Sequence, residues 1–326
     1  MDYDVIGDVH GQDGKLTALL GELGYRERLG AYRHPAGRSA IFVGDLIDRG
    51  PGQVEVVDLV RRMQDAGSAR LVMGNHELNA IGYATRTADG TGWLRKHNPR
   101  NDDQHKAFLD QIGWDSALHR ELIAWFRTLP VALDLDGIRV CHAWWDAERI
   151  AAAAQASDAN GRLGEDYLQA SFHKGEAAYT VMEGLTKGLE VELPDGCAFV
   201  DHAKVTRTAV RVRWWDDTAT TFRAAALVPE DQRQRVPDVA LPISVPLGNQ
   251  SPVPVFLGHY WLTGRPRPQN ANTAVLDYGA GLHGPLVAYR WDGEPELRDD
   301  GFVVVGDRGS GRVECGKTYA KGAAHV

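Results

Sequence analysis

The chain has 326 residues, 43% of them hydrophobic and 25% charged, with a formal net charge of -8. That length can bury a large core as one elaborated domain or as two, and the acidic balance argues against a surface that holds long nucleic acid by counterion release. Three cysteines, Cys141, Cys197 and Cys315, cannot all pair and match no zinc spacing. With no leader-like start and no apolar run long enough to span a bilayer, the expected setting is the reducing cytoplasm, with no membrane partner.

In chain order, "YDVI" reads as a strand, and Leu16, Leu19, Leu20 and Leu23 recur at helical spacing up to Gly24. "SAIFVGD" is a second strand. It precedes a helix with Val56, Val57, Val60 and Met63 on one face and Gly67 as its stop. "ARLVMGNHE" is a third strand with its exit loop, so the order βαβαβ predicts a largely parallel sheet. Residues about 78–128 are polar with scattered aromatics and end in the helical "HRELIAWFRTL". "VALDLDGIRVCHAWWD" predicts a hairpin turning at Asp136-Gly137. Residues about 150–250 read as a cap or insertion with a helix near "EAAYTVMEGLTKGL" and a strand in "TAVRVRWWDD". "VPVFLGHYW", "TAVLDYGAG" and "LVAYRWDG" are closing strands. The expectation is one domain over 1–310 and a flexible tail over 311–326.

"GDVHG", "GDLIDRG" and "GNHE" fall where three parallel strands end at their carboxyl edge, the edge at which such sheets gather ligands. Alone, each has an ordinary explanation: Asp8 capping a helix, Asp48 and Arg49 as an exposed pair worth under about 1 kcal/mol, or Asn75 starting a helix. Together, and joined by the single histidines of "VCHA" and "LGHYW", they collect Asp8, His10, Asp45, Asp48, Arg49, Asn75, His76, His142 and His259. Oxygen and imidazole donors suit manganese, iron or zinc better than calcium, which prefers oxygen alone. There are enough donors for two ions, with Asp45 as the bridging carboxylate. Two such ions polarise a phosphoryl oxygen and bring the pKa of a shared water to about 7.

These motifs resemble the phosphoprotein-phosphatase branch of the calcineurin-like metallophosphoesterases, which includes bacterial serine/threonine phosphatases and symmetrical dinucleoside tetraphosphatases. The resemblance covers about residues 4–145 and resumes at about 253–292. It implies an α/β fold, a β-sandwich flanked by helices, with the active site at the carboxyl edge of the strands. It implies that Asp8 and His10 hold the first metal, Asp45 bridges, and Asn75, His142 and His259 hold the second. His76 would be the general acid oriented by Asp48, and Arg49 would bind phosphoryl oxygens beside Asn75. A second phosphate-binding arginine is expected between the last two histidines. Arg207, Arg211, Arg213 and Arg223 lie there, and Arg213 is the expected one, sharing a strand face with Arg211.

The implied function is hydrolysis of phosphomonoesters, on a phosphoprotein or a small molecule, by in-line attack of a hydroxide bridging two divalent metals. Manganese is foremost among them, with iron, zinc, nickel or cobalt as substitutes. The alternative is a symmetrical dinucleoside polyphosphate hydrolase; a nucleic-acid end phosphatase or nuclease and a catalytically silent metal-binding module rank below both. Trp144, Trp145, Trp214, Trp215 and Trp261 read first as packing and second as base-stacking groups. His97, His105, His119, His173 and His202 read as surface or helix-face residues, Glu77 as a helix-dipole partner, and Asp277 as structural.

Overall fold

The computed structural model describes residues 2–159, 161–201 and 205–306; the tail expected at 311–326, and with it Cys315 and His202, lies outside the described residues. β1 (Tyr3–Ile6), α1 (Asp13–Glu22) and a small hairpin of β2 (Arg26–Arg28) and β3 (Ala31–Arg33) lead into β4 (Ser39–Phe42), α2 (Gln53–Asp65) and β5 (Ala69–Leu71). Helices α3 (Asn75–Ala84), α4 (Pro99–Ile112) and α5 (Ala117–Phe126) follow, then the hairpin of β6 (Ala132–Leu135) and β7 (Ile138–Cys141). Next come α6 (Ala147–Gln155), α7 (Glu165–Ala170) and α8 (Ala177–Lys187). The short strands β8 (Glu190–Glu192), β9 (Phe199–Val200), β10 (Thr206–Arg207) and β11 (Ala209–Arg211) precede α9 (Phe222–Ala225). β12 (Val255–Leu257), β13 (Thr273–Val275), β14 (Leu286–Trp291) and β15 (Phe302–Val305) close the fold.

The architecture is α/β, with two sheets face to face. One sheet runs β15-β14-β1-β4-β5 and the other β13-β12-β7-β6. β1, β4 and β5 are parallel, as are β7, β12 and β13, whereas β14 and β15 join the first sheet antiparallel. Residue alternation explains the layering, because successive strand side chains point to opposite faces. Val5, Ile41 and Val43 of the first sheet pack with Val140, Phe256 and Leu276 of the second, forming the sandwich interior. Ile6 and Phe42 face the other way, onto Leu16 and Leu20 of α1 and Val56 and Val60 of α2. Both faces of β1 and β4 are therefore buried, which is why these strands read as continuous apolar runs.

One expectation needs correction, and one element is additional. The strand in "TAVRVRWWDD" is only Ala209–Arg211, followed by a single bridge at Val212; the chain then turns, burying Trp214 and Trp215, so Arg211 and Arg213 share no strand face. Residues 78–128 carry α4 as well as α3 and α5. Among the described residues, no helix is long and apolar enough to cross a membrane.

Candidate functional site

The carboxyl ends of the parallel strands converge: β1 delivers Asp8 and His10, β4 Asp45, β5 Asn75 and His76, β7 His142, and β12 His259. The turns are tight and interlocked. Val9 and His10 donate backbone N–H groups to Asp45 O at 3.0 and 2.9 Å, and Gly11 N–H reaches Leu46 O at 2.7 Å. Of the eight described non-glycine residues with positive φ, six are here: His10, Asp45, Asp48, Arg49, His259 and Trp261. Each such residue costs about 1–2 kcal/mol, a cost that persists where surrounding structure over-determines the backbone.

The side chains form two groups of donors that share one carboxylate: His10, Asp45 and His76, and Asp45, His142 and His259, each group with its donor atoms within 4.8 Å of one another. Asp45 Oδ2 lies 3.7 Å from His10 Nε2, 3.4 Å from His142 Nε2 and 3.9 Å from His76 Nε2. Backbone acceptors fix the tautomers. His10 Nδ1 donates to Ile47 O at 2.8 Å and His142 Nδ1 to Val43 O at 2.7 Å, which leaves each Nε2 to face inward. Asn75 Oδ1 sits 3.1 Å from His142 Nε2 and 2.7 Å from His259 Nδ1.

Electron-rich atoms thus point at one another. Asp8 Oδ1, His10 Nε2 and His259 Nε2 are buried with no hydrogen-bond partner among the described residues. Burial, Arg49 and His76 lower the His10 pKa well below the usual imidazole range, and burial, Arg211 and His142 do the same for His259, so both are neutral donors. Burial, Asp277 and Asp45 push the Asp8 carboxyl well up. Burial alone would raise Asp45 too, but His142, His76 and His10 hold it well below the carboxylate range. Divalent metal here would satisfy the inward-facing atoms of Asp8 and His10 and favour the charged form of Asp8.

His76, the second residue of α3, turns Nδ1 to Asp48 Oδ2 at 2.5 Å. Its Nε2 lies 3.5 Å from Arg49 Nη2, and the Arg49 guanidinium lies over the Trp261 ring at 4.2 Å. Arg49 Nη1 has no partner among the described residues. These groups sit at the floor of a cleft of about 1360 Å³ that extends along α8 and β8 to β11.

Of the predicted residues, Asp8, His10, Asp45, Asp48, Arg49, Asn75, His76, His142 and His259 all meet here. Arg213 does not line this cleft. It belongs to a separate pocket of about 410 Å³ with Arg223 and Arg233, and pairs with Asp216 at 3.4 Å. Arg211 lines the cleft instead. Trp214 and Trp215 are core, whereas the buried Trp144 and the 37% exposed Trp261 both line the cleft. His105, read as a surface histidine, is buried and bonded to Asp48. Glu77 does more than meet a helix dipole: it accepts from the N–H groups of Asp45, Leu46 and Gly74 at 2.9, 2.8 and 3.0 Å, tying the β4 and β5 exits together. Asp277 is buried and receives the Trp261 and Gly279 N–H groups, both at 2.9 Å. Asp277 is also near enough to Asp8 to help raise its carboxyl, a proximity that spacing alone does not carry.

Residues 1–171, just over half of the chain, match the Calcineurin-like phosphoesterase family, and the chain belongs to that family. It is 50% identical over 76 residues to asymmetrical bis(5'-nucleosyl)-tetraphosphatase PrpE of Halalkalibacterium halodurans, a stretch that is 23% of this chain and 31% of that protein. The PrpE of Oceanobacillus iheyensis is 32% identical over 140 residues, 43% of this chain and 54% of that one. Symmetrical bis(5'-nucleosyl)-tetraphosphatase of Vibrio cholerae is 30% identical over 155 residues, 46% of this chain and 49% of that one. The chain therefore spans only about a third to a half of the length of these relatives.

Proposed function

We propose that the chain is a two-metal phosphoric ester hydrolase acting on a dinucleoside polyphosphate. One observation carries the reaction class: Asp45 Oδ2 lies between His10 Nε2 and His142 Nε2, one from each donor group, while His76 of the first group is turned to Asp48 and Arg49. In this reading Asp8, His10 and Asp45 hold one ion, and Asp45, Asn75, His142 and His259 the other, manganese being the first to supply. When bound, the ions act as Lewis acids on a phosphoryl oxygen and lower the pKa of water to about 7.

The chain's own groups do the rest. Arg49 binds phosphoryl oxygens through its unpartnered Nη1 and is held over the Trp261 ring. The attacking water gives up a proton to solvent and its oxygen bonds to phosphorus as the opposite P–O bond breaks, the leaving oxygen takes the proton of His76 Nε2, and solvent returns a proton to that nitrogen. Asp48 keeps the other His76 proton on Nδ1. Residues about 150–250 serve as the cap, and Arg211, rather than Arg213, meets the substrate from that side.

The cleft supports the longer substrate. Nine lysines and arginines line it against seven carboxylates, a net positive wall in a chain of net charge -8, and Trp261 offers an aromatic face. The named activities of the relatives agree in kind. The phosphomonoester reading remains as the second, because the floor groups need only one phosphoryl centre.

The test reconstitutes the protein with Mn²⁺ and compares diadenosine tetraphosphate, a phosphoserine peptide and p-nitrophenyl phosphate. The highest kcat/KM is expected on the dinucleotide, with Asp45→Asn losing nearly all turnover and bound metal. Preference for either monoester overturns the substrate; two bound metals with no turnover on any of the three overturns the reaction class.

A further inference from the structure

Asp48 is held from two sides. While its Oδ2 meets His76 Nδ1 at 2.5 Å, its Oδ1 meets His105 Nδ1 at 2.7 Å. Its backbone N–H donates to Gln53 Oε1 at 2.8 Å, and the Gln53 amide donates to Gly50 O at 2.7 Å. His105 comes from α4, an element with no other part in the metal groups. Its ring is stacked on Phe108 at 4.9 Å and meets Tyr83 of α3 edge-on at 5.3 Å, so its orientation is set by packing.

The far nitrogen of that ring, Nε2, is buried and finds no partner among the described residues. An unpartnered polar atom in the interior costs stability, and an apolar ring packed between Phe108 and Tyr83 would avoid that cost. What the imidazole contributes is therefore its Nδ1 donor. With a single bond, to His76, the Asp48 carboxylate would be free to rotate about its Cβ–Cγ bond; the second donor fixes its plane.

We propose that His105 is a positioning residue for the His76–Asp48 pair. By fixing the Asp48 carboxylate it holds the proton on His76 Nδ1 and aims Nε2 at the cleft, in the arrangement Asp48 shares between two histidines. The inference rests on the proposed role of His76 as general acid, and its two readouts separate the two ideas.

The first readout is leaving-group dependence in the Mn²⁺-loaded protein, with phenyl phosphate as the poor leaving group and p-nitrophenyl phosphate as the good one. His105→Ala should lower kcat on phenyl phosphate about tenfold more than on p-nitrophenyl phosphate, with KM and metal content little changed. His105→Asn, whose amide can donate from nearly the position of Nδ1, should recover most of the loss. The second readout needs no turnover: the low-field imidazole N–H proton resonance of His76, assigned by its loss in His76→Asn. In His105→Ala it should move upfield and exchange faster with water, and in His105→Asn it should return.

An equal loss on both substrates, or an unshifted and equally protected resonance in His105→Ala, overturns the proposal. If His76→Asn itself shows no leaving-group dependence, the general-acid reading falls, and the resonance alone then decides whether His105 positions the pair.

Discussion

Gly258 stands where no side chain fits. A Cβ there would come within 2.0 Å of Asp8 Oδ1 and 2.7 Å of Val43 Cγ2, although its backbone is not in the left-handed region. Gly258→Ala should therefore displace the Asp8 carboxylate and lose metal, while overpacking destabilises the fold by about 1–3 kcal/mol. Metal per chain, measured by plasma mass spectrometry on the folded variant, checks this; full loading would show that the loop yields without cost to Asp8. Asp48 makes a second residue-scale case. Burial acts to raise its carboxyl, but the hydrogen-bonded His105 and His76 hold it below the usual range. A carboxyl lower in the folded than in the unfolded state stabilises the fold fully above the unfolded value, about 3.9. That contribution is lost as pH falls through the folded value. The difference in urea stability between the native and Asp48→Asn proteins, about 1–3 kcal/mol, should thus be present at pH 5 and close as pH falls below about 4. A difference unchanged at about pH 3 would show that the Asp48 charge contributes none of it.

The element that organises the site is α3, whose first residues Asn75 and His76 face the centre and whose Glu77 clamps the β4 exit. Glu77→Gln keeps the shape but replaces an acceptor by a donor against backbone N–H groups. It should cost about 1.5–3 kcal/mol in urea unfolding and weaken metal binding through Asp45; unchanged metal affinity would show that the β4 turn holds itself. The strands and these exits were legible in the sequence because burial on both faces leaves apolar runs, and glycines mark where each run must turn. Elements with little buried surface were not. The β2–β3 hairpin exposes Arg26, Glu27 and Arg28, so no alternation betrays it. α4 buries only His105, Phe108 and Ile112, too few apolar positions for a periodic signal. Its ends do carry one: Asn98 caps the Asn101 N–H, with Pro99 in the first turn and Gly113 at the stop. The role of His105 was illegible for the same reason, since its partner lies 57 positions away. Arg213 misled because a three-residue strand cannot sustain the alternation that "RVRWW" suggests.

At the scale of the molecule, an acidic chain encloses a net basic cleft, and where each cation lies along it sets what each can sense. Arg211 on β11 is close enough to contribute to the lowered pKa of His259, so it belongs to the metal end, although Glu190 holds it at 3.0 Å. Arg207 belongs to β10, in register with Phe199, and pairs with Asp201 at 2.7 Å. A single phosphoryl group at the floor needs only the first; a polyphosphate chain running along the cleft needs both. Arg211→Ala should consequently raise KM about tenfold, or about 1.4 kcal/mol, for both diadenosine tetraphosphate and p-nitrophenyl phosphate, because it also leaves Glu190 unpaired. Arg207→Ala should raise KM for the dinucleotide alone. Added salt should weaken dinucleotide binding more than monoester binding, as screening acts on the sum of the cleft's charges. Initial-rate measurements on both substrates at two ionic strengths decide the matter. If Arg207→Ala affects the two equally, or neither, the substrate does not extend along the cap, and the monoester reading becomes the stronger.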